Sequence, residues 1–227
     1  FDEHKERYGS PRIYHLLISA GWSVSRRRVA RLMREAGLRA RAVRGYRAKA
    51  SVHHFYARHP NLLWATHVDK ANQVWVGDIT FLKVTGGWLY LAIVMDQYSR
   101  RILAWTLTAR RTGREACAVL RRAIRRRSAT GVIFHSDRGS EYMSASFCAY
   151  VTKLGFQQSA NVRGPGDNAH MESFFHSLKA ELTRGVHFPS EQAMRQQLGN
   201  YIRYYNTKRL HSALGYHSPI AFERAAA

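Results

Sequence analysis

The sequence predicts an α/β fold in which one mixed sheet is flanked by helices and a basic helical segment precedes the sheet. Three neighbouring runs between residues 73 and 108 are rich in Val, Ile, Thr and aromatic residues, which is typical of strands. Helical and strand patterns then alternate to about residue 180, which gives the order βββαβαβα. With 227 residues and 45% hydrophobic composition, the chain can bury one sizeable core and fold a small further domain.

The first two helical patterns predict a helix-turn-helix. Ser10-Pro11 begins a helix that Gly21 ends, and Ser25 caps a second helix that Gly37 ends. The side chains expected to pack inward on the second helix are Val29, Leu32, Met33 and Ala36. The arginines left for solvent or phosphate are Arg26, Arg27, Arg28, Arg31 and Arg34. This segment alone is explained about equally well by a DNA-binding helix that enters a major groove and by an ordinary helical hairpin with a charged face.

The charge distribution makes a polyanion the expected partner. Thirty-six Lys and Arg stand against fifteen Asp and Glu, a net charge of +21, and residues 1–60 carry fourteen of these bases against four acids. Because neutralising phosphates drives sequence-independent binding, nucleic acid is the leading candidate. Residues 39–69 are interpreted as a basic linker in which Tyr46, Phe55 and Tyr56 could stack on bases.

Three strands are expected at residues 73–84, 88–97 and 101–108. Gly86-Gly87 and Tyr98-Ser99-Arg100 separate them, and such short connections predict an antiparallel meander. A helix follows at residues 114–127. Its outward face carries Arg121, Arg122, Arg125 and Arg126. A solvated face is the simplest explanation, but neighbouring arginines repel one another unless phosphate is near.

The remaining core elements alternate between strand and helix. We expect a short strand at residues 131–134, a helix at 144–154, a second strand at 156–160, and then a helix that carries Glu172. Gly164-Pro165-Gly166 indicates that the last helix begins just after it, and Asp167 is expected to cap that helix. A long helix at residues 190–210 mixes aromatic and basic side chains near its end.

Three carboxylates on different elements could converge on one site. Asp78 lies inside the first strand, Asp137 follows the strand at residues 131–134, and Glu172 lies one turn into its helix. Taken singly, each has an ordinary explanation as a strand end, a turn or a solvated helix residue. Taken together, they suggest either a general acid and base pair or a site for hard cations such as Mg²⁺. Asp96 is expected to accept from Ser99 or a turn amide instead of joining the site.

These motifs together resemble a known family. Gly77-Asp78-Ile79-Thr80, the block from His135 to Tyr142 and the block from Asp167 to Phe175 are similar to the DDE integrase core of bacterial insertion-sequence transposases, specifically the OrfB-type half of the IS-three family. The segment from Leu210 to Pro219 is similar to the C-terminal signature of that family. One departure is visible: the 34 residues between Asp137 and Glu172 are one fewer than usual.

The resemblance implies a ribonuclease H-like fold and a metal-dependent DNA transposase. Asp78, Asp137 and Glu172 would be catalytic and would ligate two Mg²⁺ ions per active site, with Mn²⁺ able to substitute. One ion would activate water for nicking or a 3′ hydroxyl for strand transfer, and the other would stabilise the leaving oxygen. Its implied partners are double-stranded DNA, as transposon ends and as target, and further copies of the chain on paired ends.

Three further residues are assigned supporting roles. Asn168, four residues before Glu172, could hold that carboxylate or approach DNA. Lys179, about two turns after Glu172, should reach the rim of the cleft, where a solvated charge is the ordinary explanation and the resemblance favours a phosphate contact. His135 is expected to support the site or pack in the core and not to act as a base.

The sequence also supports expectations for the whole chain. We divide it into a DNA-binding segment at 1–38, the linker at 39–69, a catalytic core at 70–185 and a C-terminal helical extension at 186–227. Cys117 and Cys148 fit free thiols in a reducing cytoplasm, and no apolar run is long enough for a membrane segment. The resemblance implies a bacterial protein associated with the nucleoid. Because Phe1 stands where an initiator Met is expected, a further N-terminal domain could precede it. A ribonuclease H-like nuclease and a non-catalytic DNA-binding module remain as alternatives.

Overall fold

A computed structural model describes residues 1–41, 59–162 and 168–226. The strands are β1 Val74–Val84, β2 Gly87–Asp96, β3 Ile102–Thr108, β4 Ile133–Ser136 and β5 Gln157–Ala160. The helices are α1 Ser10–Ser19, α2 Arg26–Glu35, α3 Gly113–Arg126, α4 Ala145–Lys153, α5 Ala169–Leu178, α6 Glu191–Thr207 and α7 Pro219–Ala225. A single π-helical turn, Lys179–Thr183, continues α5.

The five strands form one mixed sheet in the order β3-β2-β1-β4-β5. The pairs β1/β2 and β2/β3 are antiparallel, whereas β1/β4 and β4/β5 are parallel. The predicted meander and the predicted alternation of helix and strand are therefore confirmed. β4 begins two residues later than the strand predicted at 131–134, because Gly131 still belongs to the preceding turn with φ +65°.

Helices cover both faces of the sheet, since side chains on a strand alternate between its two faces. Val74, Val76 and Leu82 of β1 belong to a core shared with α5 and α6. Trp75 and Ile79 point the other way, into a second core shared with α3 and α4. The central strand β1 is therefore sandwiched between two apolar layers, and its polar side chains need partners at the layer boundaries.

Arginines cover the outer edge of β3. Its alternate carbonyl oxygens accept from three guanidinium groups: Leu103 from Arg126 at 3.0 Å, Trp105 from Arg122 at 3.2 Å and Leu107 from Arg195 at 2.8 Å. An edge strand with open carbonyl groups is a template for unwanted pairing, and these contacts block it. Arg122 and Arg126, predicted to contact phosphate, each donate one N–H to this edge and remain exposed. Arg121, over the Tyr150 ring, and Arg125 have exposed side chains on the same helix.

The N-terminal hairpin follows the sequence prediction in its bounds and differs in its packing. The Oγ of Ser25 accepts from the backbone N–H of Arg28 and caps α2. Val29 and Met33 are buried, whereas Leu32 is 47% exposed, so the prediction that Leu32 packs inward was wrong. Ala36 is exposed as well. Only the stripe at positions i and i+4 reaches α1, because one short helix covers one narrow face of α2.

The exposed face of α2 agrees with its sequence pattern. Arg26, Arg27, Arg28 and Arg31 are all exposed, as predicted. Their guanidinium groups are therefore accessible to phosphate. Most of the predicted linker, residues 42–58 with Tyr46, Phe55 and Tyr56, lies outside the described part of the chain.

The N-terminal segment packs against the end of α6. Tyr8 is fully buried, its hydroxyl donates to the Lys208 carbonyl at 3.2 Å, and it accepts from the backbone N–H of Leu210 at 2.8 Å. The Nε of Arg12 donates to the Leu210 carbonyl at 2.9 Å. The predicted segments 1–38 and 186–227 are thus in contact, although they are separated by the whole core in sequence.

A buried ion pair ties the π-helical turn to the end of α6. Glu181 and Arg209 are 3% and 4% exposed, and their closest atoms are 2.7 Å apart. Tyr201 donates a further hydrogen bond to Glu181 at 3.0 Å. The aromatic and basic residues that the sequence places near the end of the long helix therefore include buried packing groups. None of the helices in the described ranges is both long and apolar enough to cross a membrane.

Candidate active site

Asp78 and Asp137 meet where two parallel strands part. The register of β1 and β4 ends with Gly77 opposite Ser136, so the next residue of each strand is one of these aspartates. Neighbouring strands lie about 4.8 Å apart, which brings the two carboxylates together. Burial, and then the charge of Asp137, raise the pKa of Asp78 to about 8. Burial also raises the pKa of Asp137, and the charge of Glu141 adds to that effect.

The backbone around the pair fixes the direction of both side chains. Asp78 accepts from the N–H of Ile79 at 2.7 Å, and Asp137 accepts from the N–H of Gly139 at 3.0 Å. Gly77 lies against the ring of Phe134, where an added Cβ would come within 2.4 Å of a ring carbon. The glycine before Asp78 is therefore required by packing, because any side chain there would push β4 away from β1.

Arg111 and Glu141 adjoin the aspartates and were missed by the sequence reasoning. Glu141 is 2% exposed, and its Oε1 accepts from Nε of Arg111 at 2.9 Å and lies 2.8 Å from Nη2. An added Cβ at Gly139 would lie 2.6 Å from the same oxygen. Glu141 raises the pKa of Asp78 and Asp137, while Arg111 lowers both. Glu141 stands inside a recognised motif, but Arg111 carries no local signal because its partner lies 30 residues away in sequence.

Glu172 lies on α5, which covers the sheet face that Val76 and Asp78 share. Its side chain is exposed, and its pKa is raised by desolvation. In the ranges that the structure describes, no three His, Cys, Asp or Glu side chains are grouped to hold a metal ion. The structure therefore brings two of the three predicted carboxylates together and leaves Glu172 apart from them. Residues 163–167, which include the loop with the shortened spacing, lie outside those ranges.

Asn168 fixes the start of α5 against β1. It occupies the N-cap position with non-helical dihedral angles, φ −125° and ψ 42°, and makes no side-chain capping bond. Its Nδ2 donates to the Gly77 carbonyl at 3.4 Å, and the residue is 5% exposed. It thus faces the strand, whereas Glu172 faces solvent, because the cap residue lies outside the helical periodicity. Asp167, predicted as the cap, is not among the described residues.

Lys179 interacts with Asp78, whereas His135 is buried within β4. Burial lowers the pKa of Lys179, and the charge of Asp78 partly opposes that shift. The Nζ of Lys179 lies 5.1 Å from the centre of the Phe81 ring. His135 is fully buried, and its two ring nitrogens lie 2.8 Å from the Ser159 hydroxyl and 2.6 Å from the Asn161 amide oxygen. Asp96, by contrast, accepts from Ser99 as predicted, in the turn that follows β2.

The chemistry of the donors fits a hard divalent cation. Asp78 and Asp137 present carboxylate oxygens, the ligand type that Mg²⁺ and Mn²⁺ prefer. Two buried carboxylates repel when both are ionised, and this repulsion adds to the larger effect of burial in raising the pKa of Asp78. A bound cation would remove that repulsion, so this pair could hold one.

Known families match most of the chain. The family models described as "Integrase core domain" match residues 68–164 and 172–226, and one described as "HTH-like domain" matches residues 1–46. Transposase InsF for insertion sequence IS3A, from Escherichia coli strain K12, is 40% identical in sequence, over 98% of this chain and 79% of that protein.

Two solved structures are similar in fold. A chain of the simian T-cell lymphotropic virus intasome in complex with PP2A regulatory subunit B56 gamma has a TM-score of 0.57 and 20% identity, over 73% of this chain and 59% of that chain. The HTLV-2 integrase catalytic core domain in complex with magnesium, in its trimeric form, has a TM-score of 0.52 and 15% identity, over 68% of this chain and 97% of that chain. Likeness at this level of identity establishes the ribonuclease H-like integrase-core fold.

Proposed function

This chain belongs to the integrase-core transposases of insertion sequences such as IS3, and we propose that it nicks the ends of its element and transfers them to target DNA with Asp78, Asp137 and Glu172 as catalytic residues. The observation that carries the assignment is the meeting of Asp78 and Asp137 at the ends of adjacent parallel strands. The raised pKa values of Asp78 and Asp137 are expected for a site that binds a positively charged group.

Asp78 and Asp137 would hold the metal, and Glu172 would complete its ligand set from α5. Two Mg²⁺ ions bound there, or Mn²⁺ in their place, would supply charge stabilisation for the attacking and leaving oxygens of a phosphoryl transfer. The Arg111–Glu141 pair would keep the Asp137 turn in place, because Glu141 packs against Gly139 of that turn.

Lys179 would position the DNA backbone. Its ammonium group interacts with Asp78 and lies 5.1 Å from the centre of the Phe81 ring, which would put it at the rim of the proposed cleft. A phosphate held there would fix the approach of the neighbouring scissile phosphate, and in-line transfer depends on such alignment. Exposed arginines on α2 and α3 would add contacts to the duplex: Arg26, Arg27, Arg28, Arg31, Arg121 and Arg125.

The assembly and the place of action follow from the same proposal. Transfer of two ends in one event requires at least two active sites, so we expect a dimer or a larger homo-oligomer on paired DNA ends. Action on chromosomal DNA would place the protein in the bacterial cytoplasm, on the nucleoid.

An assay with the natural DNA ends tests this function. The protein is incubated with labelled duplexes that carry the terminal sequences of its own element, with Mn²⁺, with Mg²⁺ or with EDTA. We expect nicked and joined strands with either metal and duplex binding without cleavage in EDTA. Cleavage of RNA–DNA hybrids without joining would instead assign a ribonuclease H-like nuclease, and binding without any cleavage would assign a DNA-binding module.

A further inference from the structure

The hairpin of β1 and β2 exposes two large aromatic side chains close to Asp78. Phe81 is 55% and Trp88 is 54% exposed, and their rings meet edge to face with centres 5.2 Å apart. The pairing of β1 with β4 ends at Gly77, and β1 continues to Val84. The register of the hairpin puts Lys83 opposite Trp88, so both aromatic rings and this lysine share one face. Two exposed aromatic rings in contact form a joined apolar surface, and joined apolar surfaces are candidates for ligand binding.

Two lysines lie near the aromatic pair. The Nζ of Lys179 lies 5.1 Å from the centre of the Phe81 ring and interacts with the charge of Asp78. Lys83 has an exposed side chain on the same face as Trp88. Aromatic faces with lysines beside them suit a nucleotide, whose base stacks while its phosphate meets an ammonium group. In a chain of net charge +21, these lysines favour a polyanion over a second copy of the chain.

We propose that Phe81 and Trp88 form a stacking platform for an unpaired nucleobase of the DNA end, with Lys179 on the phosphate between that base and the cleaved bond. This rests on the proposed function, since it needs Asp78 to mark the point of cleavage. Phe81 lies three residues after Asp78, about 10 Å along the strand, which is the reach of one or two nucleotides. Side chains three residues apart on a strand leave it on opposite faces, and Lys179, which interacts with both Asp78 and the Phe81 ring, connects the two. The platform therefore takes single-stranded DNA next to the scissile phosphate and holds the frayed end open.

The test compares two DNA probes that differ only in their bases. Each is the same duplex with a four-nucleotide single-stranded overhang, made either of thymidine or of abasic residues with identical phosphates. Fluorescence anisotropy measures the affinity of the full chain for each in EDTA. We expect about tenfold tighter binding of the thymidine overhang, or ~1.4 kcal/mol, as stacking of about one base gives. Phe81→Leu and Trp88→Leu should abolish this preference, whereas Phe81→Tyr and Trp88→Phe should keep it.

Matched variants separate this proposal from its alternatives. Trp22→Leu removes an indole that is 63% exposed elsewhere, and it should leave the ratio of the two affinities unchanged. Asp78→Asn should also keep the ratio, because the preference is measured in EDTA without cleavage. Nicking that persists in this variant would overturn the proposed chemistry and leave the platform standing. An equal affinity of the wild-type chain for both probes would overturn the platform. A DNA-free dimer that Trp88→Leu dissociates, with the preference intact, would overturn it in favour of a second copy.

A second measurement uses only the wild-type chain, so it does not depend on whether the variants fold. 5-Iodouridine is placed in the overhang, the complex of the wild-type chain is irradiated, and the cross-linked peptide is sequenced by mass spectrometry. We expect cross-links at Phe81 or Trp88. Cross-links confined to other aromatic residues would overturn the assignment.

Discussion

Ionisation of Asp78 is unfavourable in the folded protein. In the folded protein its pKa is raised to about 8, first by burial and then by Asp137. In the unfolded chain it ionises near its ordinary value, so between about pH 4 and pH 8 the folded state keeps a proton that the unfolded state releases. The stability of the metal-free protein should therefore fall as the pH rises through that window.

Asp78→Asn removes this penalty. We expect the variant to gain about 1–3 kcal/mol in unfolding free energy at pH 8 and to differ little from the wild type at pH 4. Urea denaturation in EDTA at the two pH values measures this. Added Mg²⁺ should raise the stability of the wild type at pH 8 more than that of the variant. A variant less stable than the wild type at pH 8 would mean that the ionised pair is not under strain.

Lys179 is tested by separating binding from transfer. Lys179→Ala should retain the fold and metal binding but slow strand transfer more than it weakens DNA affinity, because one misplaced phosphate disturbs alignment. Lys179→Arg should restore part of the rate. Single-turnover joining and anisotropy on the same DNA give the two quantities. Joining at the wild-type rate by the alanine variant would make Lys179 an ordinary surface charge.

At the scale of elements, the sequence predicts what is local. The bounds of β1, β2 and β3 agree within one residue, because period-two apolar patterns and glycine-rich turns act over short distances. Leu32 was predicted to pack inward but is exposed, because amphipathic spacing does not show how much of a helix its neighbour covers. Asn168 left the helical face predicted for it because it caps α5 and does not belong to it. Partners far apart in sequence, such as Arg111 and Glu141, leave no pattern to find.

The Glu181–Arg209 pair fixes the end of α6 on the π-helical turn. Arg209→Met leaves a buried carboxylate without its cation and should cost about 3–5 kcal/mol of unfolding free energy. The double variant Arg209→Met with Glu181→Leu should recover most of that loss, since an apolar pair of similar volume replaces the ions. Glu191→Gln breaks an exposed pair with Arg195 and should cost less than about 0.5 kcal/mol. Equal losses of unfolding free energy in the single and double variants would show that side-chain shape, and not charge, stabilises the contact between the end of α6 and the π-helical turn.

At the scale of the whole molecule, the two ends of the chain share one packed region. Tyr8 is buried against Lys208 and Leu210, so removing the basic N-terminal segment would also uncover part of the C-terminal extension. Charge substitutions therefore test DNA binding more cleanly than truncation. The sequence predicted the excess of positive charge but not the bonds that Arg122 and Arg126 donate to the edge of β3, because those partners are far apart in sequence.

Changing the four exposed arginines of α2 to alanine should weaken duplex binding with little effect on stability. Each phosphate contact adds about 0.9 to the slope of log affinity against log salt, so the slope should fall by up to about 3.6. The variant carries Arg26→Ala, Arg27→Ala, Arg28→Ala and Arg31→Ala, and filter binding from low to high salt measures it. Arg122→Ala with Arg126→Ala is the control, and it should lower stability with a smaller change in slope. An unchanged slope in the first variant would remove α2 from the DNA interface.

The central claim is that Asp78, Asp137 and Glu172 act together in DNA cleavage and joining. The most direct measurement is single-turnover nicking and strand transfer on labelled element ends with Mn²⁺, for Asp78→Asn, Asp137→Asn and Glu172→Gln beside the wild type. Each variant should lose both reactions while binding the same duplex with nearly wild-type affinity. Retained turnover in Glu172→Gln, with both aspartate variants inactive, would contradict the triad and leave the paired aspartates as the site.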